Sequence, residues 1–345
     1  MPDGPTLAEL GEWELIERLG AFAPAGQFSD DAALFSGQGT LVVNTDVLVD
    51  GVHFSDATTD PFSAGWRSAA ANLSDLAAMG CTEVIGLTVG LVAPGSTPWP
   101  WVQEVYRGLK ACLELHGGSL LGGDCSSGLQ RSLAVTALGR LERGMGAQVC
   151  SIRRGAGLPG DVLVCSGLHG LSRLGLALLQ QSLSRDSRDR LPEDLKRQAI
   201  QQHLQPVPRL DAVAALHASR PAERLWRVAG TDSSDGLAAA AAALARASGC
   251  RALLDYGLLP LAPAMAALAE AEDWCLRGGE DFELVLALDA DWAEALMDRL
   301  PSCRRIGLLV AAVGDEPPLG WMQLDDSPGR AEPPPLIGRG YTHFS

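Results

Sequence analysis

Residues 42–54, VVNTDVLVDGVHF, and residues 65–83, GWRSAAANLSDLAAMGCTE, decide how this chain is read. The first opens as a β-branched run and reaches Thr45-Asp46, so a strand delivers a carboxylate at its end. The second belongs to a helix predicted over 62–79 and built largely from small residues. Ahead of them, residues 32–35 and 41–44 flank Ser-Gly-Gln-Gly and read as a hairpin, and residues 6–19 carry a ragged helical stripe between Thr6 and Gly20. Behind them, the patterns predict strands over 84–92, 119–121 and 133–141 and a helix over 98–116. The glycine-rich stretch from Gly144 to Gly157 is the best boundary and divides the chain into 1–145 and 146–345. Beyond it, strands are expected over 161–165, 225–229, 252–254, 282–288 and 305–313. Helices are expected over 172–182, 236–247, 263–272 and 292–300. Residues 181–198 form a charged connector or solvated helix, and residues 314–335 read as loop. The alternation is α+β.

Composition excludes several classes. The chain has 345 residues with 27 Lys plus Arg against 42 Asp plus Glu, a net charge of −15, which argues against non-specific nucleic-acid binding and against docking on an anionic membrane. No apolar run approaches the roughly 20 residues that span a bilayer. Only Lys110 and Lys196 are lysines and neither follows a glycine, so a Walker A phosphate loop is ruled out. The eight cysteines show no C-x-x-C spacing and read as reduced core residues of a cytoplasmic protein. The N-terminal MPDGPTLAELGEWELIERLG is acidic and resembles neither a secretory nor a transit peptide.

The acids fall at junctions beside Gly, Ser and Thr: Asp30-Asp31, Thr45-Asp46, Asp75, Asp124 in GGDCSSG, and Asp232 and Asp235 in TDSSDG. Singly, each is a cap or a turn. Together they point to convergence, and converging carboxylates repel unless cations balance them. Hard divalent ions, magnesium first, suit oxygen donors of this kind, and a metal-loaded carboxylate site attracts phosphates. Gly122 and Gly123 allow backbone amides to approach a ligand closely. Two segments echo each other, SDLAAMG (74–80) and SDGLAAA (234–240), and each is expected to open an Ala-rich helix with its Ser as cap.

In collinear order, VVNTDVLVDGVHF, GWRSAAANLSDLAAMGCTE, GGDCSSG (122–128), RRGAGLPGD (153–161), TDSSDGLAAAAAALARASG (231–249), GGEDFEL (278–284) and GYTHF (340–344) resemble the motif series of the thiamine-monophosphate kinase family, of the aminoimidazole-ribonucleotide-synthetase-like superfamily. Departures are Ser29 where the family has Gly, Asp50 where Glu is usual, and CSSG in place of the family's Thr-Thr/Ser-Arg after GGD.

The resemblance implies a two-domain α+β architecture, with an N-terminal sheet domain that pairs in a homodimer and a C-terminal α/β sandwich-type domain closing over ATP. It implies several magnesium ions at Asp30, Thr45, Asp46, Asp75, Asp124, Asp232 and Asp235; Asp31 is left to a local cap or hydrogen bond. ATP contacts are implied at Tyr106, Gly123, Asp124, Arg154 and Ser234. His53, Glu280 and Tyr341 are implied on the side of thiamine monophosphate. The implied reaction is transfer of the γ-phosphoryl of ATP to that substrate, giving thiamine diphosphate. A phosphate monoester is already largely ionised at neutral pH, so no side-chain acid or base is expected. The rival readings are another ATP-dependent synthetase of the superfamily and a non-catalytic magnesium- or nucleotide-binding regulator.

Overall fold

The computed structural model describes residues 33–37, 39–144, 148–322, 335, 336 and 338. The first half builds a five-stranded sheet from β1 (Ala33–Gly37), β2 (Gly39–Val49), β3 (Glu83–Ala93), β4 (Ser119–Ser127) and β5 (Ser132–Leu141), ordered β1-β2-β5-β3-β4. All neighbours are antiparallel except β3 and β4. β1 and β2 form the expected hairpin, Ser36 opposite Thr40. Along β2 the faces alternate, with Val42, Asn44 and Leu48 turned into the core and Thr45 and Val47 away from it.

Helices α1 (Pro61–Ala78) and α2 (Trp99–His116) lie on the inner face. Asp60 starts α1 by accepting hydrogen bonds from the Ser63 N–H (3.0 Å) and hydroxyl (2.7 Å), and Pro61 occupies the first turn, where no N–H is needed. The two helices touch through glycines. A Cβ at Gly65 would lie 1.9 Å from the Val105 carbonyl oxygen, and one at Gly108 would lie 1.9 Å from that of Phe62. The outer sheet face carries exposed Val47 and Leu121.

The second half forms a six-stranded sheet from β6 (Val162–Cys165), β7 (Ala229–Asp232), β8 (Cys250–Leu254), β9 (Leu284–Leu288), β10 (Arg304–Ala311) and β11 (Leu319–Trp321), ordered β11-β8-β10-β6-β9-β7. Its helices are α3 (Leu171–Leu179), α4 (Arg185–Arg190), α5 (Glu193–Leu204), α6 (Leu210–Ser219), α7 (Leu237–Ala247), α8 (Ala271–Arg277) and α9 (Ala290–Arg299). Strand β9 is buried on both faces: Val285 and Ala287 pack with the alanines of α7, and Leu284, Leu286 and Leu288 pack with α6 and α9. This is the expected sandwich of helix, sheet and helix. Ala77 and Ala78, the last turn of α1, are buried among Ile152, Val164 and Leu286, so a helix of the first half is wedged into the core of the second.

Several elements differ from the sequence reading. GGDCSS is part of strand β4, because parallel pairing with β3 (Gly90 opposite Asp124) satisfies its backbone. Residues 263–272 are not one helix. A 3₁₀ turn over Pro263–Ala267 is followed by extended Leu268, which buries its side chain with Met265 and Trp274 before α8 begins. The sequence reading missed α6 and β11, and residues 225–228 precede β7 outside any strand. The charged connector resolves into α4 and the start of α5, laced by ion pairs such as Lys196–Glu193. The helix expected over 6–19 lies outside the described residues.

Candidate active site

The site starts where β2 passes under α1. Asn44, on the inner face of β2, donates through Nδ2 to Asp75 Oδ2 (2.7 Å) and to Asn72 Oδ1 (3.1 Å). The same Asn72 oxygen accepts the Asp46 main-chain N–H at 3.2 Å, and its amide nitrogen donates to the Ser68 carbonyl. Strand and helix are thus stitched by amides, with Asp46 and Asp75 brought to one end. Ser68, Asn72 and Asp75 follow helical spacing (i, i+4, i+7), a polar stripe inside an otherwise apolar helix. That stripe was the available sequence signal for Asn72, which the sequence reading missed along with Asn44 and Arg67, while Ser74 was read as a helix cap.

The second half supplies the other carboxylates. β7 ends at Asp232, and Ser233 to Gly236 lead into α7. Ser74 of α1 donates its hydroxyl to Asp232 Oδ2 at 2.7 Å, and Ser234 donates to Oδ1 at 3.2 Å. The two echoing segments therefore meet in space, but not as paired helix starts. Ser74-Asp75 lie in the last turns of α1, and α7 begins at Gly236 with no side-chain cap. Burial pushes the Asp46 carboxyl up to about 6, with the charge of Asp232 adding to it. Burial raises Asp75 well above the carboxylate range, helped by Asp46, Asp232 and Asp235 and opposed by the Asn44 hydrogen bond. Burial also raises Asp232, against the Ser74 bond and the charge of Arg154. Four carboxylates from both halves thus sit in one another's field.

The GGED loop closes this arrangement. The Glu280 N–H donates to the Ser234 carbonyl at 2.7 Å, joining the loop to TDSSDG. Glu280 and Phe282 adopt φ of 56° and 53°, a left-handed region that L residues seldom occupy. Between them, buried Asp281 accepts from the Gly170 and Ser172 N–H groups at the start of α3 (2.7 and 3.0 Å). Glu280 pairs with Arg67 of α1.

Arg154 sits in a 3₁₀ turn with Nε 3.3 Å from Thr231 Oγ1, beside Asp232. Gly123 lies so close to β3 that a Cβ would stand 2.0 Å from the Val89 carbonyl oxygen. Half-buried Tyr106 turns its hydroxyl to the Cys125 thiol, and burial raises it. His53 follows β2 in a turn, its Nδ1 accepting the Val49 N–H at 3.1 Å. The Thr45 hydroxyl does not join the cluster; it bonds the Thr136 hydroxyl (2.7 Å) on the opposite face of the sheet from Asp46. Asp124 is exposed on β4, and its charge is not among those that raise Asp46, Asp75 or Asp232. Asp30, Asp31 and Tyr341 lie outside the described residues.

The donor set fits hard cations. It consists of carboxylate oxygens whose protons are held tightly by burial and by one another's charge, and the buried Asn44 Oδ1 beside them has no hydrogen-bond partner. Among the described residues no three side chains have closed on a common ligating point.

A carboxylate cluster shared by an antiparallel-based sheet domain and a helix-covered sheet domain defines a class. The two family models that match are AIR synthase related protein, N-terminal domain, over residues 29–141, and AIR synthase related protein, C-terminal domain, over residues 159–316. Within that class, the chain is 47% identical to the thiamine-monophosphate kinase of Prochlorococcus marinus over 87% of this chain and 89% of that protein. It is 45% identical to the thiamine-monophosphate kinase of Synechococcus elongatus over 99% and 98%. A solved structure described as AaThiL complexed with AMPPCP and TMP superposes with a TM-score of 0.77 at 28% identity, covering 90% of this chain and 94% of that one. The chain belongs to the thiamine-monophosphate kinase family.

Proposed function

We propose that this chain phosphorylates thiamine monophosphate with ATP, yielding thiamine diphosphate and ADP by direct in-line transfer. The observation that carries the reading is the meeting of Asp46 and Asp75 with Asp232 and Asp235 across the two halves, next to Arg154 on one side and Glu280 on the other. Two phosphorylated substrates facing each other concentrate negative charge. Magnesium held on these carboxylates supplies the neutralisation they require. Asp46, Asp75, Asp232 and Asp235 would hold the ions, with Asp30 and Asp124 as further ligands. The hydroxyl of Thr45 is turned away, so its part would fall to its main-chain carbonyl. Arg154, Ser234, Gly123 and Tyr106 orient the nucleotide, and Glu280, His53 and Tyr341 the acceptor. No side chain needs to remove a proton, because the attacking phosphate oxygen is already ionised near neutrality. Alignment and charge balance supply the rate.

The domain boundary falls at 145/146 in this reading. The outer face of the first sheet, with Val47 and Leu121 exposed, is covered by a second copy of the chain. Light scattering should then give about twice the 36.2 kDa of the monomer. No helix among the described residues is long and apolar enough to cross a membrane, and all eight cysteines are free, seven of them buried, which suits a reducing cytoplasm.

The test uses γ-labelled ATP in a single turnover with thiamine monophosphate. Label should pass directly into thiamine diphosphate. ATP consumption without that product would overturn the reading, and a trapped phosphoenzyme would overturn direct transfer.

A further inference from the structure

We propose that Arg67 is a positioning residue for the acceptor substrate: it holds one oxygen of Glu280 from α1 and so presents the other oxygen to the amino group of thiamine monophosphate. This rests on the proposed function. Arg67 is only 3% exposed, and a guanidinium so far from water needs partners. Nη1 donates to the His203 main-chain carbonyl at the end of α5, and Nη2 donates to Glu280 Oε1 at 2.5 Å. Both partners belong to the second half of the chain, so the contact crosses from one domain to the other.

Glu280 is the open end of this pair, its side chain 35% exposed. Its second oxygen, Oε2, stands 3.7 Å from His203 Nδ1, beyond hydrogen-bond distance, and that nitrogen is 3.1 Å from the Ser172 hydroxyl. Among the described residues Oε2 has no donor. The backbone is pinned twice, by the Glu280 N–H on Ser234 and by Asp281 on the start of α3, which holds residues 280 and 282 at positive φ. The side chain is pinned by Arg67. An ion pair with one carboxylate oxygen left open is close to neutral, so it selects a hydrogen-bond donor rather than a bare cation. The aminopyrimidine of the substrate carries such a donor, and ATP on the Arg154 side does not depend on it.

Steady-state kinetics of the full chain, varying each substrate separately, test the assignment. R67Q should raise KM for thiamine monophosphate about 10-fold, the loss of one charge-assisted hydrogen bond, while KM for ATP stays within about 2-fold. R67K should recover most of that loss, and R67Q/E280Q should be no worse than E280Q alone. If R67Q does not fold, R67K carries the same comparison with a smaller rise of about 3-fold. Equal rises in both KM values, a fall in kcat alone, or additive losses in the double variant would overturn the assignment. No thiamine diphosphate from the unaltered chain would instead overturn the proposed function, and this inference with it.

Discussion

Ser74-Asp75 and Ser234-Asp235 are near copies in sequence, each followed by alanines, and the structure uses them in opposite ways. The first pair lies in the last turns of a helix already 18 residues long, and the second lies in the loop before one begins. Ser74 reaches across to the carboxylate of Asp232, and Ser234 reaches back to that same carboxylate. What they share is the place they meet, where Asp75 is half-buried and Asp235 is exposed. Local sequence therefore sets the residue types, and the wedging of α1 into the second core sets their roles.

The largest effect is expected at Asp75, the more enclosed member. Asp75→Asn should cut kcat by about 100-fold or more while the metal-free protein melts no lower than the unaltered chain, because a repelling charge is removed. Asp235→Asn, at the exposed member, should cost about 10-fold. Rates and melting temperatures of the two variants, measured side by side, check this.

A second test is the pH dependence of stability without metal. Asp46 and Asp75 bind protons more tightly in the folded chain than the ordinary value near 3.8 expected on unfolding. For Asp46 the folded state carries the extra proton between about 4 and 6, Asp75 acts in the same direction, and stability falls as pH rises through that window. The melting temperature in chelator should be lower at pH 7 than at pH 5. Asp124→Asn should leave that slope unchanged, since Asp124 stands outside the cluster.

Smaller effects separate the two serines. Ser74→Ala removes the 2.7 Å donor to buried Asp232 and should cost about 1–2 kcal/mol in chemical denaturation. The residue that caps α1 is Asp60, and Asp60→Ala should cost about 1 kcal/mol with turnover retained. Ser234→Ala should cost less than about 0.5 kcal/mol, because it caps nothing and its acceptor keeps the Ser74 bond.

The hairpin, both long N-terminal helices and most strands of the second sheet were legible because their periodicity or turn chemistry is local. Asp46, Asp75, Asp232 and Asp235 were legible as acids at or near chain junctions. Arg67, Asn44 and Asn72 were not, because a polar residue within an apolar pattern reads as surface until the fold buries it. Thr45 misled for a related reason: it neighbours Asp46 in sequence, but strand alternation turns its hydroxyl to the opposite face. The strand expected over 119–121 stopped short of GGDCSS, and pairing with β3 carries it through to Ser127.

The most direct test of the central claim, that carboxylates from both halves make one cation-holding site, is magnesium titration followed by thermal unfolding at pH 7 in the unaltered chain and in Asp75→Asn and Asp232→Asn. Magnesium should raise the melting temperature of the unaltered chain, and either single substitution, in either half, should largely abolish the rise. An undiminished rise in both variants would contradict that claim.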